Sequence, residues 1–117
     1  MPFRDARIHF QDILDSIALI DLFLGDSEFD VYENDLKTKS AVERQLQIIT
    51  EAAYRLGDEA EVLCPGPDWK GFTGMGNILR HGYHKVDDKI VWDTVKIDLP
   101  ALREAVSLAL SAEKKEN

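Results

Sequence analysis

Two histidines, His81 and His84, stand three residues apart with Arg80 and Tyr83 beside them, and this is the one concentration of reactive side chains in the chain. Imidazole titrates near neutral pH and guanidinium stays charged, so the pair suits proton transfer next to a phosphate. A metal centre is a poor reading. Catalytic zinc takes three protein ligands, whereas His9 is the sole remaining histidine and Cys64 the sole cysteine, so no metal and no cofactor are expected. No Gly-x-Ser-x-Gly elbow is present, and the glycines of Gly71-Phe72-Thr73-Gly74-Met75-Gly76 match neither the P-loop nor the dinucleotide fingerprint. What a histidine and an arginine can do unaided is cleave RNA, whose 2′-hydroxyl is a built-in nucleophile. Only proton transfer and charge stabilisation are then needed, and the proton transfer contributes about 10²–10⁴ in rate. The same residues also fit a solvated pair of helix-end histidines, so spacing by itself leaves both readings open.

The elements that would position this segment are helical. From Arg4 to Leu24, Phe10, Ile13, Leu14, Ile17 and Leu24 recur at three- and four-residue steps, and Gly25 closes the run. Glu28 to Asn34 reads as a loop or a short turn of helix. Asp35 to Leu56 places Val42, Leu46, Ile49, Ala53 and Leu56 on one side, with Gly57 as its stop, and Pro65-Gly66-Pro67 turns the chain. Trp69 to Thr73 leads into a helix expected from about Met75, weakened at Gly82. A fourth helix capped by Asp87 or Asp88 carries Ile90, Val91 and Val95, and Asp98 with Pro100 signals a separate last one, packing Leu102, Ala105, Val106 and Ala109. With no alternating strand pattern, the fold class is all-α, an up-and-down bundle of four to five helices in a single domain over 1–117. Trp69, Trp92 and Met75 read as packing. Leu19, Leu22 and Phe23 lie off the main stripe of the first helix, which points to a homodimer.

Charge frames the chemistry. The net charge of −8 opposes nonspecific attraction to nucleic acid, yet residues 69–86 hold Lys70, Arg80 and Lys85 and no acid. Lys70, His84 and Lys85 are therefore the candidates for holding an RNA backbone. The longest nearly uncharged stretch, Ile13 to Leu24, is far short of the ~20 apolar residues of a bilayer span, and no export signal is visible. A cytoplasmic address without membrane association is the expectation.

The stretch from Trp69 through Met75, Asn77, Leu79, His81 and Tyr83 to Val86-Asp87 resembles the signature of the HepT-like branch of the HEPN superfamily: Trp, then Met-Arg-Asn-x-Leu-x-His-x-Tyr, then Val-Asp. Arg4-Asp5 with His9 and Ile13, the run Ala41 to Ala53, and Val91-Trp92 through Asp98-Leu99-Pro100 are similar to flanking parts of the same family, so the resemblance spans nearly the whole chain. It implies a helical homodimer whose paired Arg-x(4 to 6)-His motifs meet in a cleft and cut RNA without metal, as the toxin partner of a minimal nucleotidyltransferase antitoxin. His81 takes the histidine role, and Asn77 the polar residue after the motif arginine. Tyr83 matches the tyrosine that receives AMP from the antitoxin, which would add charge repelling RNA.

The motif arginine itself is missing: its position is Gly76. Loss of that cation should remove several kcal/mol of transition-state stabilisation, judged by the ~10²–10³ in rate carried by one oxyanion donor. Arg80 is the substitute at hand, although it points about 100° away from His81 around a helix. Two readings compete: an endoribonuclease with His81 as base and Arg80 as phosphate anchor, and a silent module that binds a nucleotidyltransferase or RNA. A third, a generic helical scaffold, requires the resemblance to be accidental.

Overall fold

In a computed structural model, the structure describes residues 3–81 and 86–116, with side chains from residue 5 to residue 112. Among these residues the regular structure is entirely helical. α1 (Phe3–Leu24) ends at Gly25, whose φ of 52° lies in the left-handed region open to glycine. α2 (Phe29–Glu33) is the short helical turn that had been one of two options for this stretch. α3 (Leu36–Leu56) starts where Asp35 accepts hydrogen bonds from the Thr38 amide and hydroxyl, and stops at Gly57, also left-handed at φ 57°.

Three features depart from the sequence reading. A one-turn helix, α4 (Glu59–Leu63), follows Gly57 without any pattern that announced it. α5 spans Trp69–His81, starting six residues before Met75, although its first turns hold Gly71 and Gly74. The cause is anchoring at its entry. Trp69 is buried, its indole Nε1 donates to the Cys64 carbonyl at 2.8 Å, and the Asp68 carboxylate accepts from the Gly71 amide. Such tertiary contacts outweigh a glycine penalty of about 1 kcal/mol per residue. Finally, the expected break before the last helix is absent. α6 (Asp88–Asp93), capped by Asp87, runs through a wide π turn at Thr94–Asp98 directly into α7 (Leu99–Glu116). The wide turn lies just before Pro100, whose ring would collide with the Lys96 carbonyl in an unbroken α-helix.

α3 is the hub: it packs on α1 along their length and on α5, and α7 lies against the other flank of α1. The core is formed by Phe10, Ile13, Ile17 and Ile20 of α1, Val42, Leu46, Ile49 and Leu56 of α3, and Leu99, Leu102 and Val106 of α7. Trp69 and Phe72 join it from α5, with Met75 partly buried against it. Between α2, α3 and α6, Lys39 donates to the Glu33 carbonyl and forms an ion pair with Asp88 at 3.0 Å; both side chains are nearly out of solvent. Arg103 of α7 pairs with Asp21 of α1. No helix among the described residues is long and apolar enough to cross a membrane.

Tyr32 rests on Trp92 in this region with its ring 1% exposed, and its buried hydroxyl has no hydrogen-bond partner. Burial, followed by the charges of Glu43 and Asp88, pushes its phenol well above the usual range. A buried hydroxyl without a partner costs about 1–3 kcal/mol. Tyr32→Phe is therefore expected to raise the thermal midpoint by a few degrees while the ring keeps its packing. A melt showing a lower midpoint would mean that the hydroxyl is bonded in solution.

Candidate functional site

α5 carries the candidate residues, and its two long sides differ. Phe72, Met75 and Leu79 turn inward, while Lys70, Asn77, Arg80 and His81 are exposed. His81 occupies the last helical turn with its imidazole open to solvent, as a proton-transfer group for a polymeric substrate requires. Arg80 is not a free surface cation. Its Nη2 donates to Asn77 Oδ1 at 2.7 Å, one turn earlier on the same helix, and its Nη1 reaches Glu51 Oε2 of α3 at 3.4 Å. Glu51 is shared: its other oxygen accepts from Arg55 Nη2 at 3.0 Å. One carboxylate thus lies between two guanidinia, and the fan of donors on Arg80 keeps most of its N–H groups for another acceptor.

Gly76, where the resemblance calls for arginine, is buried at the crossing of α5 over α3. A Cβ built there would sit 2.7 Å from Thr50 Oγ1 and 2.8 Å from Thr50 Cβ, closer than side-chain atoms pack. Thr50 is itself buried and bonds back to the Gln47 carbonyl. Glycine is thus the residue that lets these two helices approach. Arg80 Nη1 lies 3.8 Å from that same Cβ position, so a guanidinium from the next turn stands beside the root of the missing side chain.

The structure therefore brings Asn77 and Arg80 together, leaves Lys70 and His81 exposed at opposite ends of α5, and adds Glu51 and Arg55 of α3. The spacing Glu51 to Arg55 was a visible sign of an ion pair, but its meeting with Arg80 was not. Tyr83, His84 and Lys85 lie outside the described residues. Cys64 is buried, and burial followed by the charge of Glu61 pushes its thiol up to about 11, away from the reactive thiolate.

Two hollows flank this region. The larger, about 660 Å³, opens between α5 and α7 and is lined by Phe72, Met75, Ile97 and Leu108 with Asp68, Asp98 and Glu104; among the described residues no cationic side chain faces it. Apolar and acidic walls do not suit a polyanion. The smaller, about 300 Å³, lies over α1 and α3 and includes Glu51 and Arg55.

The family model described as "Ribonuclease HepT-like" matches residues 13–109. A protein of Thermococcus cleftensis named probable ribonuclease HepT is 35% identical over 100 residues, covering 86% of this chain and 91% of its own length. A protein of Methanocaldococcus jannaschii named as a candidate RNase is 32% identical over 108 residues, covering 92% of this chain and 99% of its own. Another so named, from Caldanaerobacter subterraneus subsp. tengcongensis, is 33% identical over 112 residues, covering 95% of this chain and 99% of its own. No solved structure matches.

Proposed function

The chain belongs to the HepT-like ribonuclease family, and from that premise we propose that it is a metal-independent RNA endonuclease acting as a homodimer, the toxin member of a pair with a minimal nucleotidyltransferase. The observation that carries this reading is the guanidinium of Arg80. It is oriented by Asn77 and Glu51 and lies 3.8 Å from where a side chain at position 76 would begin. The family's missing cation has a substitute one helical turn away.

In this mechanism His81 takes the proton from a ribose 2′-hydroxyl, whose oxygen forms a bond to the adjacent phosphorus. The bond from phosphorus to the 5′-oxygen breaks, and that oxygen leaves with a proton supplied by a second imidazolium or by water. Arg80 steadies the extra negative charge on phosphorus as it develops. Arg80 and His81 project about 100° apart on one helix, so the two groups reach one phosphate most directly when a second copy contributes one of them. Leu19, Leu22 and Phe23, at 38%, 73% and 38% exposure, leave an apolar end on α1 that a second copy would cover. Lys70, with His84 and Lys85, would hold flanking phosphates, and AMP on Tyr83 would add negative charge that opposes RNA.

The test is the chemistry of the ends. Purified protein incubated with an RNA oligonucleotide in excess chelator should yield 2′,3′-cyclic phosphate and 5′-hydroxyl termini, and an oligonucleotide with 2′-deoxyribose throughout should stay intact. Cleavage abolished by chelator, or equal cutting of the deoxy strand, would overturn the 2′-hydroxyl mechanism.

A second reading rests on the packing of Gly76. The close approach to Thr50 commits the helix crossing to glycine, as expected of a silent module that binds its nucleotidyltransferase or RNA without cutting. That reading predicts RNA binding with no new termini.

A further inference from the structure

The smaller hollow is a groove running over the outer face of α3, with His9 and Asp12 of α1 on one wall and Arg44, Gln47, Glu51 and Arg55 along its floor. Position by position, Arg44, Glu51 and Arg55 lie on the side of α3 opposite Val42, Ile49 and Leu56, which face the core. Arg80 closes the far end through Glu51. Three guanidinia thus follow one another across this face, one from each end of the α3 floor and one from α5, in a chain whose net charge is −8. Among the described residues, Asp12 and Glu51 on the lining match Arg44 and Arg55, so Arg80 leaves the row one cation in excess.

The partners of these cations are informative. Arg55 and Arg80 both bond the carboxylate of Glu51, one to each oxygen, at 3.0 and 3.4 Å. Arg44 is exposed. A carboxylate held between two guanidinia has the shape and charge of a bridging phosphate, because each presents two oxygens to the forked donors. We propose that this groove is a binding track for the phosphodiester backbone of single-stranded RNA, with Arg44 and Arg55 as phosphate contacts beyond Arg80 and with Glu51 as the resident anion that an incoming phosphate displaces. The proposal rests on the ribonuclease reading and extends it to the path of the substrate. Arg44 and Arg55 lie outside residues 69–86, the segment where the sequence concentrates its basic residues.

The experiment titrates the full-length protein into a fluorescent RNA oligonucleotide carrying 2′-O-methyl groups, which blocks cleavage, and follows anisotropy at several salt concentrations. Arg44→Ala and Arg55→Ala should each weaken binding roughly threefold to tenfold and reduce the salt slope by about 0.7, the share of one phosphate contact on a single strand. Lys96→Ala, on the π turn where Lys96 lies over Trp92, should leave both quantities unchanged. Glu51→Gln should act in the opposite direction, tightening binding roughly threefold or more with a steeper salt slope, a gain that loss of structure cannot mimic. Native binding and cleavage with unchanged affinity in Arg44→Ala and Arg55→Ala would overturn the track and leave the ribonuclease reading in place. A native protein that neither binds nor cuts RNA would overturn both.

Discussion

Replacing His81 by alanine is expected to lower the rate of RNA cleavage by about 10²–10⁴, the usual weight of one positioned general acid or base. Replacing Arg80 by alanine should lower it by about 10²–10³, as for loss of one donor to the developing charge. His81 is exposed at the end of α5, so His81→Ala should lose no more than about 0.5 kcal/mol of stability, whereas Arg80, whose side chain is partly buried and bonded to Asn77 and Glu51, should cost about 1 kcal/mol when replaced. His81→Ala removes the group that takes the proton, whereas Arg80→Ala leaves it in place and removes only a donor to the developing charge. Arg80→Lys should recover little, since an ammonium cannot span both Asn77 and Glu51 and still present a fork to phosphate. A native rate in His81→Ala would remove the catalytic role of this residue; unchanged termini in a slowed Arg80→Ala would be consistent with charge stabilisation.

The second large effect is one of stability. Gly76→Arg, which restores the family motif on paper, is expected to destabilise the fold and to generate no new activity. The first atom added, Cβ, meets both the hydroxyl and the Cβ of Thr50. A hydroxyl can rotate away, but a Cβ is fixed to its helix, so α3 and α5 must separate. Overpacking of this kind costs about 1–3 kcal/mol. That exceeds the ~0.5–1 kcal/mol regained by removing glycine from a helix interior. Gly76→Ala should therefore already lower the thermal midpoint by several degrees, and Gly76→Arg further, since a charged chain must also leave the crossing. Pairing Gly76→Ala with Thr50→Gly should return part of the packing loss, visible as favourable coupling in a double-mutant cycle. A Gly76→Ala protein as stable as the native one would show that the crossing yields freely. Gain of cleavage in Gly76→Arg would favour the silent-module reading of the native chain.

Helix identity was legible along the chain because it depends on neighbours. The periodic stripe of α3 and its Gly57 stop stand where the pattern predicts, and the Asp35 cap, read in the sequence only as the start of the pattern, likewise acts within four residues. The same holds for Phe10, Ile13 and Ile17 on the buried side of α1. The early start of α5 was hidden, since local propensity reads Gly71 and Gly74 as loop while the Trp69 anchor depends on Cys64 across a proline turn. The continuous run from α6 into α7 was hidden for a related reason: Pro100 signals a break locally, and a wide π turn absorbs it.

By itself the sequence determined the all-α class and put forward His81 and Arg80 as candidate site residues, because residue type and spacing are local properties; Asn77 and the gap at position 76 entered through the family resemblance. Only the tertiary structure decided that this gap is a helix crossing against Thr50, that Arg80 meets Glu51 29 positions away, and that Arg44 and Arg55 share a groove with His9. These meetings depend on how closely and at what angle the helices pack, and packing is set by the summed shape of both faces, which no single stretch of chain contains.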